Sequence, residues 1–286
     1  MNADYTIAEI LRSASRVLAS GGVPEARREA GSLLSFVLGK DRTFLISHSE
    51  DPVDDDSLER LRELVERRAS GEPLQYIVGV QDFFGREFQV TRDVLIPRPE
   101  TELLVEAALD IVKGSAPFIC DVGTGSGCIA ITLVCEIAQA RAVALDNSAS
   151  AIEVAKLNAR SLSVSERIVF ALSDCFSGVD PNQYQFDLVV SNPPYVSAGI
   201  LVGLQREVRD HEPRGALSPG PDGLSMIRRL LQETPAFLRN DGHLLMEIGF
   251  DQGKAVTEMV DSEVWKLVEI KPDLQGIPRI VILRRY

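Results

Sequence analysis

Two short stretches bring together residue types whose spacing can do chemistry: Asp121-Val122-Gly123-Thr124-Gly125-Ser126-Gly127 and Asn192-Pro193-Pro194-Tyr195. Each follows a run of strand-forming residues, Phe118 to Val122 and Phe186 to Ser191. In the first, glycines let the backbone turn tightly and approach a ligand without interference from a Cβ. The dinucleotide fingerprint GxGxxG needs its third glycine at position 128, but Cys128 stands there and the glycine is Gly127, which disfavours NAD. GxxxxGK[ST] is absent too, so nothing supports a nucleoside triphosphate. Asp146 ends the next strand-like run about 20 residues on, where a carboxylate can accept two hydrogen bonds from ribose hydroxyls. Glycines alone would fit a plain strand-to-helix turn. With Asp146 they suit an adenosine-bearing cofactor without phosphates, and S-adenosylmethionine is the leading candidate.

In the second stretch, consecutive prolines fix φ twice and Pro193 pushes Asn192 out of the helical region. The result is a rigid ledge at the C-terminal end of a strand, the edge where ligands sit in open α/β sheets. Such a ledge suits methylation of a planar amide or amino nitrogen. The lone pair of that nitrogen is delocalised and weakly nucleophilic, so two acceptors holding both N–H groups would aim it at a sulfonium methyl group. The side-chain oxygen of Asn192 and the carbonyl of Pro193 are suitable acceptors, and Tyr195 can pack against the planar group. No general base is needed before transfer. The alternative is a proline-stiffened turn with no ligand.

The elements that must position these stretches fall into three parts. From Tyr5 to about Ser70 apolar residues recur at helical spacing, as in Ile7, Ile10, Leu11, Ala14, Val17 and Leu18, which predicts a helical domain over residues 1–73. Gly21-Gly22 and Pro24 separate two helices, and Asp54-Asp55-Asp56-Ser57 offers caps and negative charge for another. Tyr76 to Val80 and Glu87 to Val90 read as two strands of a β-hairpin linker over 74–92. Over 93–286, strands and helices alternate: helix Glu100 to Lys113, strand Phe118 to Val122, a helix after Gly127, strand Ala142 to Leu145, helix Ala149 to Arg160, strands Ile168 to Ala171 and Phe186 to Val190, helix Leu224 to Leu238, and extended runs His243 to Ile248 and Ile280 to Leu283. Repeated β-α-β units predict an α/β fold, a Rossmann-like domain whose parallel sheet is covered on both faces.

Composition bounds the partners. The 286 residues are 45% hydrophobic and 25% charged, which marks an ordinary globular chain and not a disordered or fibrous one. The net charge of −12 opposes a phosphate backbone, and from Asp93 onward acidic residues still outnumber basic ones, so no direct nucleic-acid substrate is expected. The apolar run from Cys128 to Cys135 stops at Glu136, and no basic-then-apolar leader is read at Met1 to Ile10. The chain is read as cytoplasmic, with no membrane partner. Cys120, Cys128, Cys135 and Cys175 lack CxxC spacing and His48, His211 and His243 are scattered, so neither a metal site nor a disulfide framework is expected.

The sequence resembles the peptide-chain release factor glutamine methyltransferase family over nearly its whole length. Besides Asn192-Pro193-Pro194-Tyr195 it carries Leu95-Ile96-Pro97-Arg98-Pro99-Glu100-Thr101-Glu102, Asp121 to Gly127, Glu212-Pro213-Arg214 with Ala216-Leu217, and Asp273, Gly276 and Arg279. Asn-Pro-Pro-Tyr is shared with N6-adenine DNA methyltransferases; the Ile-Pro-Arg-Pro-Glu-Thr-Glu segment with the helical N-terminal domain is far more specific. The resemblance implies methyl transfer from S-adenosylmethionine to the glutamine side-chain nitrogen in the Gly-Gly-Gln motif of class I release factors. It implies that Gly123, Thr124, Gly125, Ser126 and Gly127 wrap the cofactor, Asp146 holds its ribose, and Asp174 and Cys175 meet its adenine side. Asn192, next to the cofactor, would grip the glutamine with Pro193, Pro194 and Tyr195, while the helical domain recognises the partner. Arg98 either faces solvent at a helix terminus or lines the substrate mouth, and His211 reads as a surface residue. Two other classes stay open: an N6-adenine DNA or RNA guanine methyltransferase, which would be expected to carry a basic groove or an added domain, and a non-catalytic module that keeps the cofactor fold.

Overall fold

Thr6 opens the first helix with a reciprocal cap: its hydroxyl accepts from Glu9 N at 3.3 Å, and the Glu9 carboxylate accepts from Thr6 N at 3.0 Å, which satisfies two orphan donors. This computed structural model describes residues 5–286; the first four residues of the expected helical domain, where the leader reading also begins, lie outside the described residues. The helices are α1 (Ile7–Ser20), α2 (Ala26–Leu38), α3 (Arg42–Ser47), α4 (Asp55–Ala69) and α5 (Leu74–Val78). Asp54 caps α4, its carboxylate accepting from Ser57 N at 2.9 Å as the acidic run suggested. Ile7, Ile10, Ala14 and Leu18 face Leu33, Leu34, Leu61 and Leu64 in one apolar core.

The strand expected at Tyr76 to Val80 is mostly helix. Pro73 precedes the first turn of α5, Gly79 closes it at φ +81°, and Ile77 is buried in the helical core, so tertiary burial decided a short apolar run that reads either way. The hairpin begins later, as β1 (Val80–Phe83) and β2 (Arg86–Gln89). Its turn is Phe84-Gly85 alone, with φ of +50° and +69°, both positive as a tight two-residue hairpin requires.

The described residues gather into two compact units: one runs to Val80 and takes in Gln205–His211, the other holds Gln81–Leu204 and Glu212–Tyr286. In the second unit a 3-10 turn, Pro99–Thr101, leads into α6 (Glu102–Ile111). There follow β3 (Phe118–Val122), α7 (Cys128–Glu136), β4 (Arg141–Asp146), α8 (Ala149–Ser161), β5 (Ile168–Leu172), β6 (Phe186–Ser191), α9 (Ala198–Leu201), then α10 (Arg206–His211) in the helical unit, α11 (Arg214–Leu217), α12 (Ser225–Glu233), β7 (Leu238–Glu247), α13 (Gly253–Met259), β8 (Trp265–Pro272) and β9 (Pro278–Arg285). The helix expected to reach Leu238 stops at Glu233, because Pro235 interrupts it in a 3-10 turn and Leu238 already starts β7. β8 was not expected; Lys266, Glu269 and Lys271 break its apolar pattern at the sheet's edge, where charge is tolerated.

The sheet order is β5-β4-β3-β6-β7-β9-β8, with β3 to β7 parallel and β9 antiparallel to both neighbours. Neighbouring residues point into opposite cores, Ile119 into one and Cys120 into the other. Both faces are therefore covered. The strand order reverses between β3 and β6, and such switch points leave a crevice beyond the strands' C-terminal ends.

Candidate active site

In β3 and β6, Cys120 lies opposite Val189 and Asp121 opposite Val190, so the glycine loop and Asn192 leave the sheet at the same edge. The Ser191 hydroxyl clamps that edge by donating to Val122 O at 2.7 Å. A cavity of about 210 Å³ opens there. It brings together Arg98, Gly123, Thr124, Gly125, Ser126 and Asp146, with Asp174, Cys175, Asn192 and Pro194. Gly127, Pro193 and Tyr195 are not among its lining residues.

The loop is held by its own backbone. Gly123 N and Thr124 N donate to Leu145 O at 2.8 and 2.9 Å, and Gly125 N donates to Asp146 Oδ2 at 2.8 Å. Ser148 N donates to Asp146 Oδ1 at 2.9 Å. Each Asp146 oxygen is thus oriented by one backbone donor and keeps a further lone pair. Gly127 serves packing: at φ +83°, a Cβ there would stand 2.6 Å from Ile131 Cδ1 and 3.2 Å from Ala155 Cβ, so the glycine permits the close approach of α7 and α8. Asn158, 1% exposed, braces the loop from behind by donating to Ser126 O at 2.9 Å and Gln89 O at 3.0 Å.

At the next strand end, Arg229 donates to the Asp174 carboxylate at 2.7 Å and to its carbonyl at 3.2 Å. Cys175 is buried with φ +53°, and burial, reinforced by Glu233, pushes its thiol up to about 12. It is a neutral wall of the cavity and no nucleophile. Arg98 lines the mouth and donates to Glu212 Oε1 at 2.6 Å.

Asp121 is fully buried beneath the loop. Its Oδ2 accepts from the Thr124 hydroxyl at 2.7 Å and Ala130 N at 3.2 Å, while Oδ1 has no partner. Burial pushes this carboxyl up to about 7 against the pull of those two bonds. An unpaired buried acceptor, a glycine cradle and an ordered Asp146 fit a cofactor that carries positive charge and ribose hydroxyls. The raised value also implies that folding keeps a proton on Asp121 which the unfolded chain releases near pH 4. Its contribution therefore lowers stability progressively as pH rises from about 4 to 7. Urea titrations of the cofactor-free protein across that range should show this slope, and Asp121→Asn should flatten it; an unchanged slope would refute the raised value.

Behind the ledge lies a carboxylate that the sequence reading did not single out. Glu247, at the end of β7, is 1% exposed; its Oε2 accepts from the Thr101 hydroxyl at 2.7 Å and its Oε1 from the Tyr195 hydroxyl at 3.0 Å. Thr101 in turn accepts from Asn192 Nδ2 at 3.0 Å. Burial raises the Glu247 pKa, opposed by the two hydroxyl bonds and by Arg279, and burial likewise raises that of Tyr195. Gln252 ties the ledge further, donating to Tyr195 O at 3.0 Å and Gly223 O at 3.2 Å. A signal for Glu247 was available: a charged residue closing the apolar run Leu244-Leu245-Met246 must find partners if buried. Asp273, Gly276 and Arg279 form a turn closed by an ion pair of 3.1 Å and are not among the residues lining the cavity.

Sheet order, switch-point crevice and glycine loop define a Rossmann-like methyltransferase. The hMettl16 catalytic domain, solved in complex with the MAT2A 3′UTR hairpin 6, shares that fold with a TM-score of 0.56 over 81% of this chain and 82% of that one, at 15% identity. Residues 9–79 match the PrmC N-terminal domain and residues 99–203 the methyltransferase small domain. A release factor glutamine methyltransferase of Cereibacter sphaeroides is 43% identical over 279 residues, covering 97% of this chain and 98% of its own. Another of that name, from Koribacter versatilis, is 40% identical over 281 residues, covering 98% and 99%. The chain belongs to the release factor glutamine methyltransferase family.

Proposed function

We propose that this protein transfers a methyl group from S-adenosylmethionine to the side-chain amide nitrogen of the glutamine in the Gly-Gly-Gln motif of class I peptide chain release factors. The observation that carries this reading is the ledge. Asn192 Nδ2 is committed to Thr101, and none of the described residues donates to Asn192 Oδ1 or to the Pro193 carbonyl. Two neighbouring acceptors suit a primary amide, whose two N–H groups they would hold while the nitrogen lone pair is aimed along one line. Tyr195, pinned through its hydroxyl, presents a fixed ring beside that grip.

The cofactor supplies an electrophilic methyl group on a sulfonium. On the protein's side, Gly123 to Ser126 offer a backbone surface without bulk, Asp146 offers lone pairs to ribose hydroxyls, and Ser173 to Cys175 form the wall for adenine. Asn192 and the Pro193 carbonyl would hold the nitrogen in line with that methyl group, which the cofactor would give up while keeping the bonding electrons on sulfur. The amide then releases one proton. The helical unit is assigned to orienting the release factor, since its residues form a packed core and carry no catalytic constellation. Among the described residues no helix is long and apolar enough to cross a membrane, and a cytoplasmic translation partner fits this reading.

Labelled cofactor offered with a release factor, with the same factor carrying Glu in place of the Gly-Gly-Gln glutamine, or with duplex DNA separates the alternatives. Only the first should be labelled: glutamate has no nitrogen to methylate, and DNA must approach an acidic protein and flip a base at a cost of a few kcal/mol. Robust labelling of DNA adenine or undiminished labelling of the Glu variant would overturn the glutamine assignment.

A further inference from the structure

We propose that Thr101 and Glu247 are positioning residues that set the polarity of the Asn192 amide, turning its oxygen and not its nitrogen toward the cavity. An asparagine side chain is nearly symmetric in shape, so packing alone hardly distinguishes its two orientations, and hydrogen bonds must decide. Here the decision propagates from one buried carboxylate. Glu247 accepts at both oxygens. Its Oε2 takes the only proton that Thr101 Oγ1 carries, so that hydroxyl meets Asn192 as an acceptor. Asn192 answers with Nδ2 at 3.0 Å, and Oδ1 is left to the cavity that Asn192 and Thr101 both line. A flipped amide would set two acceptors against each other across the same gap.

The same carboxylate holds Tyr195 from its other oxygen. One group at the end of β7 therefore fixes two members of the ledge that follows β6. Both oxygens are occupied and Glu247 is 1% exposed, so it acts through Thr101 and Tyr195 and does not reach the cavity itself.

This inference deepens the glutamine reading, which gives Asn192 Oδ1 its partner, but one of its tests needs no substrate. In ¹⁵N-labelled protein the Asn192 side-chain amide, identified by its disappearance in Asn192→Ala, should show one proton shifted downfield and slowed in exchange by its bond to Thr101. That signature should vanish in Thr101→Val, return in Thr101→Ser, and weaken in Glu247→Gln, whose new NH₂ group can donate to Thr101 and release its hydroxyl toward Asn192. A signature indifferent to Thr101→Val overturns the proposal. In kinetics, Thr101→Val should lower kcat about tenfold or more with the affinity for S-adenosylmethionine little changed, and Thr101→Ser should recover most of it. In an Asn192→Ala background the same replacement should cost nothing more, as for residues acting as one unit. Equal losses in both backgrounds would reduce Thr101 to a structural residue. If the wild-type protein leaves release factor unlabelled, the glutamine reading fails, while the amide signature still decides the polarity.

Discussion

Asn192→Ala should lower the turnover of release factor methylation about 100-fold or more while changing the affinity for S-adenosylmethionine far less. The replacement removes one of two acceptors and frees the target nitrogen to rotate, which forfeits alignment and not binding. Thr101 keeps its bond to Glu247, so the 3-10 turn at Pro99–Thr101 retains its anchor. Single-turnover kinetics with calorimetry on the same preparation would separate the two quantities. A loss residing wholly in cofactor affinity would remove Asn192 from the substrate grip.

Asp146→Ala should have its effect on the cofactor instead. Losing hydrogen bonds to a charged acceptor costs about 1.5 to 3 kcal/mol, equivalent to about 10- to 150-fold in dissociation constant. The upper part of that range is expected, because Gly125 N and Ser148 N lose their acceptor together with the ribose. The glycine loop then keeps its backbone bonds to Leu145 but loses the one that orients Gly125. Calorimetric titration with S-adenosylmethionine would measure the change, and unchanged affinity would sink the ribose assignment. Asp146→Asn, which keeps one acceptor oxygen, should fall between wild type and alanine.

Much of the site was legible because its parts are local. A strand, a glycine loop and a helix occupy consecutive residues, so Gly123 to Gly127 could be placed on a turn from spacing alone, and Asn192-Pro193-Pro194-Tyr195 on a ledge by the restrictions proline imposes. Asp146 was reachable because one β-α-β unit fixes the distance to the next strand end. The resemblance carried by the Ile-Pro-Arg-Pro-Glu-Thr-Glu segment placed the chain in its family, since that segment is rarer than the glycine loop. Less legible were short apolar runs: Leu74–Val78 turned as a helix because Tyr76 and Ile77 are buried, a decision that lies outside its five residues.

What the sequence by itself determined is the repertoire: a helical N-terminal part, a Rossmann-like domain, a glycine loop with an aspartate at the next strand end, and a proline-stiffened ledge. Only the tertiary structure decided how that ledge is aimed. Thr101 and Glu247 are 146 positions apart and Arg98 and Glu212 are 114 apart; no periodicity or turn chemistry links them. Thr101 and Glu247 meet because β7 runs parallel beside β6 and α6, which Thr101 precedes, packs on both strands. The same assembly adds a packing demand at Gly127, since the Cβ it lacks would stand 3.2 Å from Ala155 Cβ, a neighbour that exists only once α8 is docked beside α7. Local rules choose the residues, but the polarity of a buried hydrogen-bond chain belongs to all its members at once.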